Sequence, residues 1–359
     1  MSEATNGTAT VEAVPKKPLR CRTHGNFAEW LAASGGSVAI TTYTSGKLVL
    51  VSSRGQRLRF RTLPFPRPMG MALTGRHWAL AVKKRILVFH NCTIAKGDTG
   101  AKGDTGDEND TGEEHRAVDG LFVPQREFVT GKLNAHDVAF GRRGVYFANT
   151  RCNCLARATT RCSFLRCWQP PFISDRVHQD RCHLNGIGMH HGQPAMATAF
   201  CETSHAGGWR EENRFTTGVL IDVPENQVVA RGLCMPHSPR RHEGHWWLCN
   251  SGHGTLCRFD PALETCEEVC SLPGFTRGLC FAHKHALVGL SKIRDKHVLD
   301  APPIPGRDAK SRAGVALVDL ASGRQTGMLE FVSGGREVYE VVFLPSIKWP
   351  ELVSFEEHE

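Results

Sequence analysis

The sequence predicts an all-β protein, a six-bladed β-propeller with four-stranded antiparallel blades. The first observation is a repeat: the stretch Ala135 to Thr150, AHDVAFGRRGVYFANT, aligns without gaps on Pro236 to Ser251, PHSPRRHEGHWWLCNS. Each copy is an apolar run, a polar turn and a second apolar run, which is typical of two strands joined by a hairpin. The six copies begin at Pro68, Ala135, Leu184, Pro236, Thr276 and Val338.

The spacing of the copies and a second hairpin in each unit are the other two observations. We call the second residue of each copy its marker position, and successive markers lie 40 to 67 residues apart, which favours blades with loop insertions over a strict solenoid. Further strand-turn-strand patterns begin at Gly218, Gly254 and Gly314. Four strands per unit make a propeller blade. The markers are Met69, His136, Asn185, His237, Arg277 and Tyr339.

Domain boundaries follow from where these patterns begin and end. Residues 1–20 are polar and predicted to be a disordered tail, 21–350 form one propeller domain, and 351–359 form a second tail. From Ser37 the chain shows three strand-like runs, whereas Val338 to Leu344 supplies only one inner strand. We therefore expect the N-terminal strands to close the last blade.

Three segments interrupt the blade pattern. Residues 95–118 contain AKGDTG twice and no apolar run, which predicts a disordered insertion without a chemical role. The segments 201–217 and 292–314 both occupy the loop between the second and third strands of their units. In a propeller this loop lies at the same end of the ring as the start of the innermost strand. We expect the two loops to meet the marker residues at one channel mouth.

Composition limits the classes of partner. The chain of 359 residues is 40% hydrophobic and 22% charged, which is typical of a globular protein. The net charge is +8, but no run of five basic residues occurs, so nucleic-acid binding is not predicted. No stretch approaches the ~18 apolar residues of a membrane span, and the N-terminus has no apolar signal segment. We therefore expect a cytoplasmic protein without a membrane partner.

The fourteen cysteines leave two interpretations open. Several lie in strand-like runs, where a thiol packs as a small apolar group. The cluster Cys152, Cys154, Cys162 and Cys167 resembles a zinc knuckle, but its pairs lack the usual two-residue spacing on both sides.

Histidines at the marker positions indicate a candidate metal site. His136 and His237 are markers, and His183 lies two residues before the marker of its unit. Three converging imidazoles can hold zinc, iron or copper and leave one position for water or substrate. The alternative is that these imidazoles bond to backbone carbonyls and only shape a channel.

Four further residues are candidates for catalysis. Arg277 would hold a carboxylate or a developing oxyanion, and Tyr339 would act as acid or base. Asp137 and Glu340, each one residue after a marker, are the nearest carboxylates. They could equally orient the histidines or form a salt bridge with Arg277.

Residues for substrate binding are expected at the same end of the ring. The repeat pairs two asparagines at the ends of second strands, where they would offer amides to a substrate or cap turns. The two inserted loops add an aromatic ring and basic side chains, which favour an anionic ligand or are simply solvated. The candidates are Asn149, Asn185, Asn250, Trp209, Arg210, Lys292 and Arg294.

The segments CHLNGIGM, GGWRE, VVARGLCMPHSPR and LPGFTRGL carry a resemblance. Over about residues 135–330 the chain resembles a family of bacterial conserved hypothetical proteins that are predicted to be propellers. The resemblance implies the fold and a shared pattern at HLNG, PHSP and FTRGL, and it implies no activity. The arrangement is also similar to peptidyl-hydroxyglycine amidating lyase and to sugar-lactonase propellers, by analogy of fold.

Two functions fit these residues. The first is a metal-dependent hydrolase, lyase or oxygenase that acts on a carboxylate-bearing or otherwise anionic small molecule or peptide at the channel mouth. The second is a non-catalytic ring that presents its loop face to a glycan, peptide or protein.

Overall fold

The computed structural model describes residues 18–93, 118–211, 213–292 and 311–355. Within these ranges the protein forms twenty-six strands and two short α-helices, α1 (Phe27–Ala33) and α2 (Gly208–Glu211). Two 3₁₀ turns, Thr150–Cys152 and Ser251–His253, follow corresponding strands of two repeats.

In the first half of the chain the strands are β1 (Arg20–Gly25), β2 (Ser37–Thr42), β3 (Lys47–Arg54), β4 (Arg57–Pro64), β5 (Met71–Thr74), β6 (His77–Val82), β7 (Arg85–Asn91), β8 (Gly120–Val129), β9 (Ala135–Gly141), β10 (Gly144–Asn149), β11 (Cys154–Arg157), β12 (Leu165–Trp168) and β13 (Gly186–His190). In the second half they are β14 (Gln193–Ala199), β15 (Gly218–Asp222), β16 (Gln227–Leu233), β17 (His237–His242), β18 (His245–Asn250), β19 (Thr255–Asp260), β20 (Thr265–Ser271), β21 (Phe275–Ala282), β22 (His285–Ser291), β23 (Gly314–Asp319), β24 (Arg324–Ser333), β25 (Val338–Leu344) and β26 (Pro350–Leu352).

These strands form six sheets, which are the six blades that the repeat predicted. Blade 1 contains β25, β2, β3 and β4, from the innermost strand outwards; blades 2 to 6 begin with β5, β9, β13, β17 and β21 and continue in chain order. The marker residues all lie within two residues of the starts of the innermost strands. The six-bladed propeller predicted from the repeat is therefore confirmed.

The ring closes as predicted, with N-terminal strands completing the last blade. Strand β2 pairs antiparallel with β25, in a register that places Ser37 opposite Leu344 and Ile40 opposite Val341. Strand β25 also packs on β5 of the next blade. The two ends of the chain are thus held in one sheet without a covalent bond.

Two blades have a fifth strand that the sequence did not predict. Strand β1 pairs antiparallel with β24 at the outer edge of blade 6, and β26 pairs parallel with β8 of blade 2. Strand β26 extends past residue 350, where the sequence placed the end of the propeller domain. Its side chain Leu352 is buried in the core between blades 1 and 2. The N-terminal tail before residue 18 and nearly all of the insertion predicted at 95–118 lie outside the described residues.

The hydrophobic core lies between neighbouring blades. One cluster joins Tyr146 and Leu155 of blade 3 to Ile187 and Ile221 of blade 4, and the other clusters repeat this pattern. A fully buried side chain of this size contributes roughly 1.5–3 kcal/mol.

Near the axis the innermost strands approach so closely that glycine is required. A Cβ at Gly70 would lie 2.8 Å from the Cα of Asp137, and one at Gly278 would lie 2.8 Å from the Cα of Glu340. The strands that carry the marker residues are therefore held close together around the channel.

Candidate active site at the channel mouth

A cavity of about 300 Å³ opens where the innermost strands begin. It brings together His136 of blade 3, His183 of blade 4 and His237 of blade 5, which the repeat alignment placed at one end of the ring. The other residues that line it are Tyr43, Met69, Asn134, Asp180, Phe200, Trp209, Arg210, Phe275, Arg277, Ser291, Lys292, Glu337, Val338 and Tyr339.

His136 and His237 are held in the same way in their two blades. The Nδ1 of His136 lies 3.1 Å from the carbonyl oxygen of Asn134 and 2.6 Å from the hydroxyl of Thr150. The Nδ1 of His237 lies 2.9 Å from both the carbonyl oxygen of Met235 and the hydroxyl of Ser251. Because a carbonyl only accepts, Nδ1 carries the proton in both rings and Nε2 keeps its lone pair.

Both imidazoles are neutral at neutral pH. Burial lowers the pKa of His136 well below its usual range, and the neighbouring His183 and Arg277 lower it further. Burial and then Arg277 likewise lower the pKa of His237. A neutral imidazole with a free Nε2 can accept a hydrogen bond or bind a metal ion.

His183 reaches the cavity from a loop. Its backbone is left-handed, with φ 52°. Asp180 accepts from both the backbone N–H and Nδ1 of His183, at 3.1 and 2.8 Å, so Nε2 is the ring nitrogen without a partner on this loop. Asn153 holds the loop: its side chain donates to the carbonyl of Gln179 and accepts from the backbone N–H of Arg181.

The three imidazoles are not equally close. The ring centres of His136 and His183 are 4.9 Å apart, whereas Phe200 contacts both His183 and His237, with centroid distances of 4.5 and 5.4 Å. Among the residues that the structure describes, no three His, Cys, Asp or Glu side chains lie in an arrangement that would hold a metal ion. The predicted metal ligands share a cavity, and metal binding stays a prediction.

Three other side chains of the cavity have a buried polar atom without a hydrogen-bond partner. They are the indole Nε1 of Trp209, one terminal nitrogen of Arg277 and the hydroxyl of Tyr339. The Arg277 guanidinium stacks on the Tyr339 ring, with its central carbon 3.3 Å from the ring centre. Burial raises the pKa of Tyr339, against the attraction of Arg277, so its hydroxyl keeps its proton.

The two predicted catalytic carboxylates, Asp137 and Glu340, form ion pairs with Arg240 and not with Arg277. Asp137 accepts hydrogen bonds from both terminal nitrogens of Arg240, at 2.8 and 2.9 Å, and Glu340 accepts one from the second of these nitrogens at 2.9 Å. Neither carboxylate lines the histidine cavity. The alternative that these carboxylates form a salt bridge with Arg277 is therefore wrong, because their partner is Arg240. The three residues come from β9, β17 and β25, and they cross the channel below the cavity.

The three asparagines do not line the cavity. The side chain of Asn149 accepts from the backbone N–H of Cys152, and that of Asn250 accepts from the N–H of Cys234 at 2.7 Å. Asn185 accepts from the hydroxyl of Thr198 at 2.7 Å. The contact of Asn149 matches the turn-capping alternative, whereas Asn250 and Asn185 bind other groups of their own blades and do not cap a turn.

The predicted loop residues divide into two groups. Trp209 and Arg210 lie on α2 and line the cavity, where the Trp209 ring packs on His183 with centroids 4.2 Å apart. The Arg210 guanidinium carbon stands 4.0 Å from the Trp209 ring centre, and Lys292 also lines the cavity. Arg294 lies outside the described residues.

Four residues that shape the channel were not predicted from the sequence. Thr150 and Ser251 occupy the same position of their repeats, fourteen residues after a marker, so the alignment itself carried that signal. Asp180 lies in a loop outside the repeat, and Arg240 lies in a distorted strand. Neither position is marked by the repeat.

None of the fourteen cysteines forms a disulfide; Cys152 and Cys154 are buried, and Cys162 and Cys167 are exposed. In the described part of the chain, no helix is both long and apolar enough to cross a membrane.

Fold and cavity together define a class: a six-bladed β-propeller with a histidine-rich and arginine-lined channel mouth. Within this class, the chain matches the family model of a domain of unknown function (DUF4915) over residues 25–353, and it belongs to that family. The match confirms the resemblance to an uncharacterised family and extends it beyond residues 135–330. Among curated proteins the chain finds no match.

Two solved structures are similar to the chain. One is a protein of unknown function from Bacteroides caccae, with 8% identity, a TM-score of 0.50, and coverage of 86% of this chain and 98% of that chain. The other belongs to the crystal structure of a nidogen/laminin complex, with 9% identity, a TM-score of 0.49, and coverage of 87% and 99%. At these identities the likeness concerns the fold alone.

Proposed function

We propose that the channel mouth binds a small molecule or a peptide that carries a carboxylate. The observation that carries this proposal is that Trp209, Arg277 and Tyr339 line one cavity and each keep a buried polar atom without a partner. A buried donor without a partner costs roughly 1–3 kcal/mol, and more when it is charged. A carboxylate offers about four acceptor positions to such donors.

The charges around the cavity favour the same ligand. Arg210, Arg277 and Lys292 line it, and among the described residues no carboxylate forms an ion pair with Arg277. Of the two acids in the lining, Asp180 binds His183, and Glu337 has a partner of its own. A ligand carboxylate would therefore meet the charge of Arg277, which no carboxylate among the described residues pairs.

A second candidate function, a metal-dependent hydrolase or lyase, is favoured by the orientation of the imidazoles. All three donate from Nδ1 to a protein oxygen, which is the usual outer contact of a metal-bound histidine. The 4.9 Å between the rings of His136 and His183 fits two ligands of one zinc ion, whose ring centres stand about 5 Å apart. A bound ion would lower the pKa of a water molecule toward ~7.

In that case the remaining residues have defined roles. Arg277 would hold the substrate carboxylate or stabilise a developing oxyanion, and the neutral Tyr339 would donate a proton. Without a metal, the same cavity is the binding site of a non-catalytic ring. We retain the cytoplasmic location expected from the sequence as part of this proposal.

The carboxylate is tested by calorimetric titration with acetate, succinate and N-acetylglycine. We expect saturable binding of at least one of them to the wild type, weakened roughly 10- to 100-fold in Arg277→Gln, because a hydrogen bond to a charged group contributes about 1.5–3 kcal/mol. The control Arg258→Gln removes the same charge from the outer strand β19 and should bind as the wild type does. The proposal is wrong if no probe binds, or if Arg277→Gln binds equally well.

Metal analysis of the purified full chain separates the two candidates. If the protein is an enzyme of this kind, we expect stoichiometric zinc, iron or copper in the wild type and its loss in the triple variant His136→Ala/His183→Ala/His237→Ala. The control variant His77→Ala/His90→Ala should keep the metal, because the rings of His77 and His90 contact each other away from this cavity. A metal-free wild type whose melting temperature does not respond to added zinc, iron or copper would favour the non-catalytic ring.

A further inference from the structure

The opposite end of the channel opens into a second and larger cavity, of about 680 Å³. The residues four positions after the markers line it, one from each blade, and five of the six are apolar and only partly buried. We call these five the apolar ring. They are Leu73, Phe140, Met189, Phe281 and Phe343, and the sixth position holds Arg241.

The charged residues at the floor of this cavity are paired with each other. Arg240 and Glu340 line the floor, and Arg240 forms ion pairs with Asp137 and Glu340. Arg240 also donates hydrogen bonds to the carbonyl oxygens of Ile187 and Pro239. A partner that enters the cavity therefore contacts the apolar ring first, and the charges at the floor of the cavity are already paired.

The hairpins around the cavity are basic. Counted with the strand residue on either side of it, each turn between the first and second strands of blades 2 to 6 carries at least two Arg, Lys or His residues, and Glu243 is the one carboxylate in these five turns. Five permanent cations lie in or next to these turns, and none of them makes an ion pair with a residue that the structure describes. These cations, all exposed and here called the basic rim, are Arg76, Arg142, Arg143, Arg241 and Lys284.

We propose that this face docks a protein segment in which apolar side chains are flanked by acidic residues. The apolar ring is concave and would take the apolar side chains, since burial of such surface drives association. The basic rim extends over blades 2, 3, 5 and 6, wider than a small molecule reaches, and it would meet the flanking carboxylates. A nucleic acid would match the rim but would leave the apolar ring without a partner.

This inference concerns the end of the molecule opposite the histidine cavity, so it does not rest on the function proposed for that cavity. The rim also accounts for part of the positive charge of the chain. The repeat places one or two cations in each of blades 2, 3, 5 and 6, and the fold gathers them, although no run of five basic residues exists in the sequence.

The test uses fluorescence anisotropy with a labelled synthetic peptide in which leucines are flanked on both sides by glutamates. We expect saturable binding to the full-length wild type that weakens with added salt. The variant Arg142→Gln/Arg143→Gln/Arg241→Gln should bind roughly 10-fold more weakly or worse, because exposed rim charges contribute modestly and together. All three side chains are exposed, so the fold should be kept.

One control variant and two altered peptides test the two parts of the proposal separately. Lys132→Gln, which removes a charge before β9 at the other end of the ring, should bind as the wild type does. A peptide with lysine for glutamate, and one with serine for leucine, should each bind at least 10-fold more weakly. Equal affinity of the triple variant, or of either altered peptide, overturns the proposal. So does displacement of the peptide by a thymidine oligonucleotide that binds more tightly.

Discussion

At the scale of residues, two arginines on the channel axis have opposite surroundings. Arg240 is bound by two carboxylates and two carbonyls, whereas Arg277 stacks on Tyr339 and keeps a buried nitrogen without a partner. A buried charge is stable when it is fully paired, and an unpaired one indicates a ligand or costs stability. Arg240 therefore belongs to the scaffold and Arg277 to the binding site.

The carboxylates of this scaffold predict a pH dependence of stability. Burial raises the pKa of Glu340 to about 7, against the attraction of Arg240. The folded protein therefore keeps a proton that the unfolded chain releases above about pH 4.3. The stability that this proton contributes is fully present below that pH and is lost as the pH rises to about 7.

We expect Glu340→Gln to remove this dependence. Between pH 5 and pH 7.5 the free energy of unfolding in urea should fall more in the wild type than in the variant, by on the order of 1–3 kcal/mol. Glu225→Gln, at an exposed turn position between β15 and β16, is the control and should follow the wild type. Parallel pH profiles for the wild type and Glu340→Gln would contradict this role of Glu340.

Arg240 could not be predicted from the alternation of side chains along a strand. The pairing of β17 with β18 shifts between His237 and Arg240, and Ser238 takes a left-handed backbone with φ 54°. A bulge of this kind reverses the side of the sheet to which the following residues point. The repeat located His237 correctly because the irregularity comes after it.

At the scale of elements, the loops and turns of the repeats position the site. The two 3₁₀ turns bring Thr150 and Ser251 to the histidines of their own blades. Asn149 caps the first turn through Cys152, and Asn250 binds the backbone before β17. The alignment could predict that the asparagines correspond, but an amide near a site looks the same in sequence whether it binds a ligand or its own backbone.

Asn149→Ala separates these two roles. Loss of the cap should lower the free energy of unfolding by about 1–2 kcal/mol, while the affinity for whichever carboxylate probe binds the wild type stays within about twofold. Chemical denaturation and calorimetry measure the two quantities on the same sample. An unchanged stability with lost carboxylate affinity would instead support the substrate-binding role that the sequence analysis gave to Asn149.

At the scale of the whole molecule, the repeat was sufficient to predict the ring, the number of blades and their closure by the N-terminal strands. The fifth strands β1 and β26 were not predicted, because short edge strands carry no repeat and little hydrophobic pattern. The two cavities at opposite channel ends follow from the same repeat, since all the marker residues except Asn185 line one and the residues four positions later line the other.

Truncations distinguish the strands that close the ring from those that only extend a blade. Removal of residues 1–26 deletes β1, and removal of residues 346–359 deletes β26; each takes a strand from an outer edge and should lower the melting temperature while leaving a folded ring. Removal of residues 337–359 deletes β25 as well, the innermost strand of blade 1, and should leave an aggregating chain. Circular dichroism and size-exclusion chromatography measure both outcomes, and a well-folded product of the removal of residues 337–359 would contradict the role of β25 as the closing strand.

The pairing of β2 with β25 has a consequence for biosynthesis. Ser37 leaves the ribosome about 300 residues before its partner Leu344. The first blade must therefore wait, three strands wide and with an unpaired edge, until the strands of the other five blades have been made. During that interval the nascent chain exposes apolar surface that chaperones recognise, so its yield in a cell depends on their supply as well as on the final stability of the ring.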